Sequence, residues 1–135
     1  MKIEIRNGRL IDPAQGLDRA ASLSIDDGVI VGIGEMRRDR PPDRTIDATG
    51  CIVCPGFVDL AARLREPGLE HMATLESELG AAAAGGVTSL ACPPDTDPPL
   101  DEPGLVEMLK HRARLIGKAH VYPVGALTVG LEGTT

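Results

Sequence analysis

The chain has 135 residues, 42% of them hydrophobic and 25% charged, which suits one ordinary domain or two small lobes with a buried core and lies outside the composition of disordered chains. A formal net charge of −6 and an aromatic content of 1%, with Phe57 and Tyr122 as the large rings, exclude the basic footprint and stacking platforms of nucleic-acid binding. No apolar run approaches the ~20 residues that span a bilayer, and Met1-Lys2-Ile3-Glu4 opens an alternating pattern instead of a signal segment, so a cytoplasmic protein is expected.

Residues 1–53 read as short strands joined by tight turns, a β-rich lobe. Ile3 and Ile5 alternate with Glu4 and Arg6, which predicts one apolar face. Asn7-Gly8 predicts a hairpin, because both residues tolerate positive φ, with Arg9-Leu10-Ile11 returning and Asp12-Pro13 stopping the strand. A second hairpin is predicted from Ser22-Leu23-Ser24-Ile25 through Asp27-Gly28 into Val29-Ile30-Val31-Gly32-Ile33. Residues 37–44 read as a polar, proline-bearing loop. Thr45-Ile46-Asp47-Ala48 restarts a strand, and Thr49-Gly50 turns into 51–53.

Three cysteines make a poor disulfide framework. Cys51 and Cys54 have Cys-x-x-Cys spacing but sit in an apolar strand-like run. A redox or zinc motif wants a turn or helix N-terminus there, so buried structural thiols are expected.

From residue 54 onward the period changes. Residues 57–64 are a strand candidate. Over 71–84, Met72, Leu75, Leu79 and Ala82 recur at helical spacing, and Gly85-Gly86 supplies a stop. Residues 87–92 read as a buried strand, and 93–99 as a proline-rich loop. Asp101 is a candidate N-cap, with Pro103 in the first turn. Leu105, Leu109, Ala113 and Ile116 then form an apolar stripe up to Gly117, and residues 119–127 predict a third strand. This alternation is the grammar of a parallel α/β sheet.

The run Pro55-Gly56-Phe57-Val58-Asp59-Leu60-Ala61-Ala62-Arg63-Leu64-Arg65-Glu66-Pro67-Gly68 resembles the first barrel strand of the metal-dependent cyclic amidohydrolases, dihydroorotases most closely. There it reads Pro-Gly-Phe-Val-Asp-x-His-x-His-Leu-Arg-x-Pro-Gly. Ile46-Asp47-Ala48-x-Gly50, Ala81-Ala82-Ala83-Ala84-Gly85-Gly86-Val87-Thr88 and the run from Gly125 to Gly133 resemble other parts of the family in the same order. The resemblance implies an α/β fold: a small β-sandwich lobe over 1–53, then about the first two and a half βα units of a (β/α)8 TIM barrel over 54–135. Such a barrel takes about 250 residues, so an N-terminal fragment is expected, with its third strand an open edge and its barrel-facing apolar surface uncovered.

The family's two histidine ligands fall on Ala61 and Arg63. A methyl group offers no lone pair, and a guanidinium stays protonated. No metal ligand and no catalytic residue is therefore assigned; zinc is expected only if ligands elsewhere in a longer chain rebuild a reduced site. Asp59 reads as a polar residue that orients the strand end. Arg63 reads either as drift into an unused site or as a cation replacing the metal's charge. Arg65 matches the family's substrate-carboxylate clamp, a planar fork suited to a carboxylate; its bland reading is a salt bridge to Glu66 or Glu70. Cys92-Pro93-Pro94-Asp95-Thr96 resembles the loop after strand two, where the family has a substrate-contacting asparagine. Asp95 stands in its place, an acceptor-only carboxylate that repels an anionic substrate.

His71, His111 and His120 offer no replacement ligands. Sites in these barrels lie at the C-terminal ends of the strands, whereas His120 opens its strand and His111 lies on a helix. No glycine-rich phosphate loop or Gly-x-Ser-x-Gly elbow occurs. By resemblance, the expectation is a non-catalytic dihydroorotase-like protein of pyrimidine biosynthesis. It would be oligomeric at full length and would partner the catalytic subunit of aspartate transcarbamoylase. An active dihydroorotase or allantoinase and a decayed remnant are the alternatives.

Overall fold

A computed structural model describes residues 1–34 and 40–133, which form two compact units, Met1–Pro55 and Gly56–Thr135.

The first unit is a five-stranded sheet. β1 (Lys2–Asp12) pairs antiparallel with β2 (Leu17–Asp26), and β2 pairs antiparallel with β3 (Val29–Ile33). β4 (Arg44–Asp47) and β5 (Ile52–Val53) run parallel to β1. The Asp27-Gly28 turn forms as predicted, with φ of 47° and 80° at its two residues, the sign that a two-residue hairpin of right-twisted strands needs.

Asn7-Gly8 does not make a hairpin. β1 runs through it, and the register with β2 shifts between Ile5 and Gly8, with Asn7 at φ 62°. The same tolerance of positive φ that suits a turn here serves a β-bulge. Gly8 is needed because a Cβ there would lie 2.7 Å from Val53 Cγ2. Burial on β1 also differs from the alternation argument: Lys2 and Glu4 are buried, while Ile3 and Ile5 are only partly so. Both charges are satisfied. Lys2 Nζ donates to the Arg40 carbonyl at 2.7 Å, and Glu4 pairs with Arg6 at 2.7 Å, as buried charge requires. Of the loop predicted over 37–44, residues 37–39 lie outside the described residues. Cys51 and Cys54 are exposed, contrary to the expectation of buried thiols. The paired part of β5 is two residues long, so both cysteines fall just beyond it.

In the second unit, β6 (Phe57–Asp59), β7 (Val87–Cys92) and β8 (His120–Pro123) form a parallel sheet in that order. Helices α1 (Leu75–Ala84) and α2 (Pro103–Ile116) connect them. Leu90, Cys92 and Val121 from the sheet bury against Leu75 and Leu79 of α1 and Leu109 and Ala113 of α2. The opposite face carries exposed Val58, Leu60 and Tyr122. Among the described residues, β6 and β8 each keep an unpaired edge.

Several boundaries move for identifiable reasons. The strand predicted over 57–64 ends at Asp59, whose Oδ1 accepts the Ala61 N–H at 2.9 Å. The first helix begins at Leu75, not near 71, because Thr74 and Ser77 form a reciprocal capping box at 3.0 and 3.2 Å. Asp101 does not cap α2. Glu102 holds the N-cap position without a side-chain bond, and Asp101 instead accepts the Gly130 N–H at 2.8 Å. The strand predicted to 127 stops at Pro123, since Ala126 donates sideways to the Leu100 carbonyl at 2.7 Å. No helix among the described residues is long and apolar enough to cross a membrane.

Candidate functional site

The C-terminal ends of β6 and β7 open into two loops, residues 60–74 and 93–102. The first leaves β6 still in contact with β7, since the Ala62 N–H donates to the Ala91 carbonyl at 3.0 Å. Burial alternates from there. Ala62, Leu64 and Glu66 turn inward, whereas Ala61 and Arg63 are exposed and Arg65 is half-buried.

Arg63 does have a carboxylate partner, one that sequence spacing alone leaves invisible. Its Nε–H donates to Asp95 Oδ2 at 2.6 Å, with the two side chains 55% and 42% exposed. The pair therefore joins the position of the family's second histidine to that of its loop asparagine. Arg63, Arg65, Cys92, Asp95 and Thr96 line one small cleft. The clue in the sequence is that these two departures, at 63 and 95, lie at the mouths of neighbouring strands.

Arg65 makes no salt bridge to Glu66 or Glu70. Among the described residues its side chain has no hydrogen bond or ion pair, and its backbone stands at φ 62°. Glu66 turns the other way. Its carboxylate is buried, pairs with Arg112 of α2, and accepts the Leu75 N–H at 2.8 Å at the start of α1. Glu66 thus ties the loop to both helices, a role the sequence reading missed. Glu70 accepts the Gly68 N–H at 3.0 Å, and that bond holds its carboxyl below the usual range.

The two loops touch at Gly68. At φ 95°, a Cβ there would lie 1.9 Å from the Asp97 carbonyl oxygen, and the Asp97 N–H donates to the Pro67 carbonyl at 3.2 Å. Gly56 has a similar part at the base of β6, where a Cβ would lie 2.1 Å from Thr88 Oγ1. Both Pro-Gly pairs of the motif are therefore set by close packing. Cys92 is buried beneath the loops, and burial pushes its thiol up.

The donor set at this mouth does not fit a divalent cation. Position 61 presents a methyl, and position 63 presents a cation already engaged by Asp95. His71, His111 and His120 are exposed, on the loop before α1, on α2 and at the first residue of β8. Among the described residues, no three His, Cys, Asp or Glu side chains converge. What the arrangement offers chemically is guanidinium: one group held by an internal carboxylate and one without a side-chain partner among the described residues.

The profile of the Dihydro-orotase-like family matches residues 50–135. A dihydroorotase-like protein of Pseudomonas aeruginosa is 50% identical over 133 residues, covering 98% of this chain and 31% of its own length. A dihydroorotase of Solibacter usitatus is 47% identical with the same coverage. Among solved structures, L-hydantoinase from Arthrobacter aurescens superposes with a TM-score of 0.78 at 28% identity, over 92% of this chain and 27% of that one. A D-hydantoinase superposes at 0.58 with 35% identity, over 70% and 20%. The chain thus spans under a third of the length of these proteins, and its fold is the β-rich lobe and opening βα units of their (β/α)8 architecture.

Proposed function

The chain belongs to the dihydroorotase-like amidohydrolase family, and from that premise we propose that it is a non-catalytic member, a cytoplasmic protein of pyrimidine biosynthesis that supports assembly of aspartate transcarbamoylase. The observation that carries this reading is the Arg63–Asp95 ion pair beside Ala61. Metal-assisted amide hydrolysis needs a Lewis acid and an activated water. Here the positions that would hold the ion carry a methyl and an engaged cation, and the neighbouring substrate position carries a carboxylate. Arg65 keeps the place and chemistry of a carboxylate clamp, so the mouth retains a vestigial binding group without the means of hydrolysis. A barrel in this state still presents surfaces to a partner. The Pseudomonas aeruginosa and Pseudomonas putida relatives, 50% and 48% identical, bear the name dihydroorotase-like protein, which favours the same reading.

The rival is an active cyclic amidohydrolase with ligands supplied from other parts of a longer chain. The dihydroorotase of Solibacter usitatus, at 47% identity, is what favours it. Metal analysis and turnover of dihydroorotate by the full-length protein decide between them. Co-expression with the transcarbamoylase catalytic subunit tests the assembly role. Stoichiometric zinc with turnover overturns the proposal, and so does a transcarbamoylase that elutes and works identically with and without this protein.

A further inference from the structure

We propose that Cys51 and Cys54 form a thiol–disulfide switch: reduced, they leave β5 paired with β1, and bridged, they release it. The switch lies wholly in the first unit, Met1–Pro55, and does not depend on the chemistry of the second.

Cys-x-x-Cys spacing serves redox chemistry where the chain turns between the two thiols. Here the chain is extended between them. Ile52 and Val53 pair in parallel with Arg9 and Leu10 of β1, and the Arg9 N–H donates to the Cys51 carbonyl at 3.1 Å. A strand rises about 3.3 Å per residue, which sets the two cysteine Cα atoms about 10 Å apart. A disulfide needs them within roughly 7 Å. β5 and a Cys51–Cys54 bridge therefore exclude each other. The pairing that keeps the thiols apart is short, two residues, and Ile52 is 62% exposed. Val53 is the anchor, packed so closely on Gly8 that a Cβ there would lie 2.7 Å from its Cγ2. Gly50, at φ 76° with open space around it, gives the chain a pivot immediately before Cys51. Both thiols are exposed, so a small disulfide reaches either.

The oxidant is a low-molecular-weight disulfide such as oxidised glutathione. The thiolate of one cysteine attacks a sulfur of the reagent, forms a mixed disulfide and expels one small thiolate. The other cysteine's thiolate then attacks the protein sulfur and expels the second. The protein pair loses two electrons, the reagent gains them, and the two thiol protons pass to the small thiolates. Closing the bridge costs the β5 pairing, so the bridge is easily reduced, as suits a transient disulfide in a reducing compartment.

The test treats the full-length protein with oxidised glutathione in mildly alkaline buffer. Peptide mapping without reduction locates any bridge, and hydrogen exchange of the Arg9 amide reports on β5. The parent protein is expected to lose two hydrogens in mass, with Cys51 linked to Cys54. Its Arg9 amide should then exchange at least about tenfold faster, because the Cys51 carbonyl has left it. Dithiothreitol should restore the slow rate. Cys51→Ser and Cys54→Ser should each take up one glutathione at the remaining thiol and keep the slow Arg9 exchange. A parent protein that carries glutathione on both thiols, or keeps both free, overturns the proposal. So does a bridge from either cysteine to Cys92 or to another chain. A Cys51–Cys54 bridge with unchanged Arg9 exchange shows that β5 is not released and overturns it as well, as does equal loosening in the singly modified variants.

Discussion

The Nε–H of Arg63 donates to Asp95 Oδ2 at 2.6 Å, joining the loop after β6 to the loop after β7. Two of the three positions at which the chain departs from its family's chemistry, 63 and 95, are thereby each other's partners. Asp95 offsets the positive charge that Arg63 brings to the mouth. Together they are electrostatically neutral.

That neutrality has a modest energetic weight. Both side chains are about half exposed, and exposed pairs contribute about 0–1 kcal/mol. Arg63→Ala and Asp95→Asn should each move the melting midpoint of the full-length protein only slightly, and a double-mutant cycle should return a coupling in that range. A coupling well above it would mean that the pair is a structural clasp, not a local neutralisation.

Glu66 and Arg112 should behave differently. The Glu66 carboxylate is 3% exposed and Arg112 is 50% exposed. Arg112→Ala leaves a buried carboxylate without its cation, which costs about 3–5 kcal/mol. Glu66→Gln keeps an acceptor for the Leu75 N–H and lets Arg112 turn to water, which costs about 1–2 kcal/mol. Urea denaturation of the two variants checks the order. Equal losses would show that the ion pair contributes nothing beyond the hydrogen bond.

Gly68 and Gly50 separate backbone strain from steric clash. Both have positive φ, 95° and 76°, but only at Gly68 would a Cβ meet another atom. Gly50→Ala should cost about 1–2 kcal/mol, the left-handed term alone. Gly68→Ala adds overpacking against the Asp97 carbonyl, about 1–3 kcal/mol more. Thermal melts of the two variants should rank in that order.

Thiol labelling should resolve two classes. Cys51 and Cys54 are exposed and Cys92 is buried, with burial also disfavouring its thiolate. A disulfide reagent near neutral pH should modify two cysteines promptly and the third only on unfolding. Prompt modification of Cys92 would place the loops over β7 in rapid opening.

Acid should weaken the first unit. Asp47 is held below the usual carboxylate range by the Asn7 side-chain amide, then by the Thr49 hydroxyl and N–H. A pKa lower in the folded state than in the unfolded one gives stability that is present above the unfolded value. It is lost as pH falls below about 4 and through the folded value. Asp47→Asn should therefore lower stability at neutral pH and flatten the acid limb of a melting-midpoint profile. An unchanged acid limb would show that Asp47 does not couple to folding.

Local pattern reads well where the physics is local. The Asp27-Gly28 turn, the limits of β7 and the Gly117 stop of α2, at φ 67°, follow from φ tolerance and hydrophobic period. Asn7-Gly8 misleads because positive φ serves a bulge as readily as a turn, and neighbouring strands settle which. Cys51 and Cys54 mislead for a related reason: two thiols in an apolar run are buried only if the strand pairing extends to them.

The sequence by itself determined that positions 61 and 63 have no lone pair for a cation, because that is a property of the side chains whatever their surroundings. It also determined the alternation of strand and helix, which hydrophobic period carries. Tertiary structure alone decided that Arg63 meets Asp95, 32 residues away, and that Glu66 turns inward to Arg112 while Arg65 has no ion pair among the described residues. Those pairings depend on the parallel register of β6 and β7 and on the seating of α2, which bring distant loops within hydrogen-bond reach, and neither is encoded in any short stretch of chain.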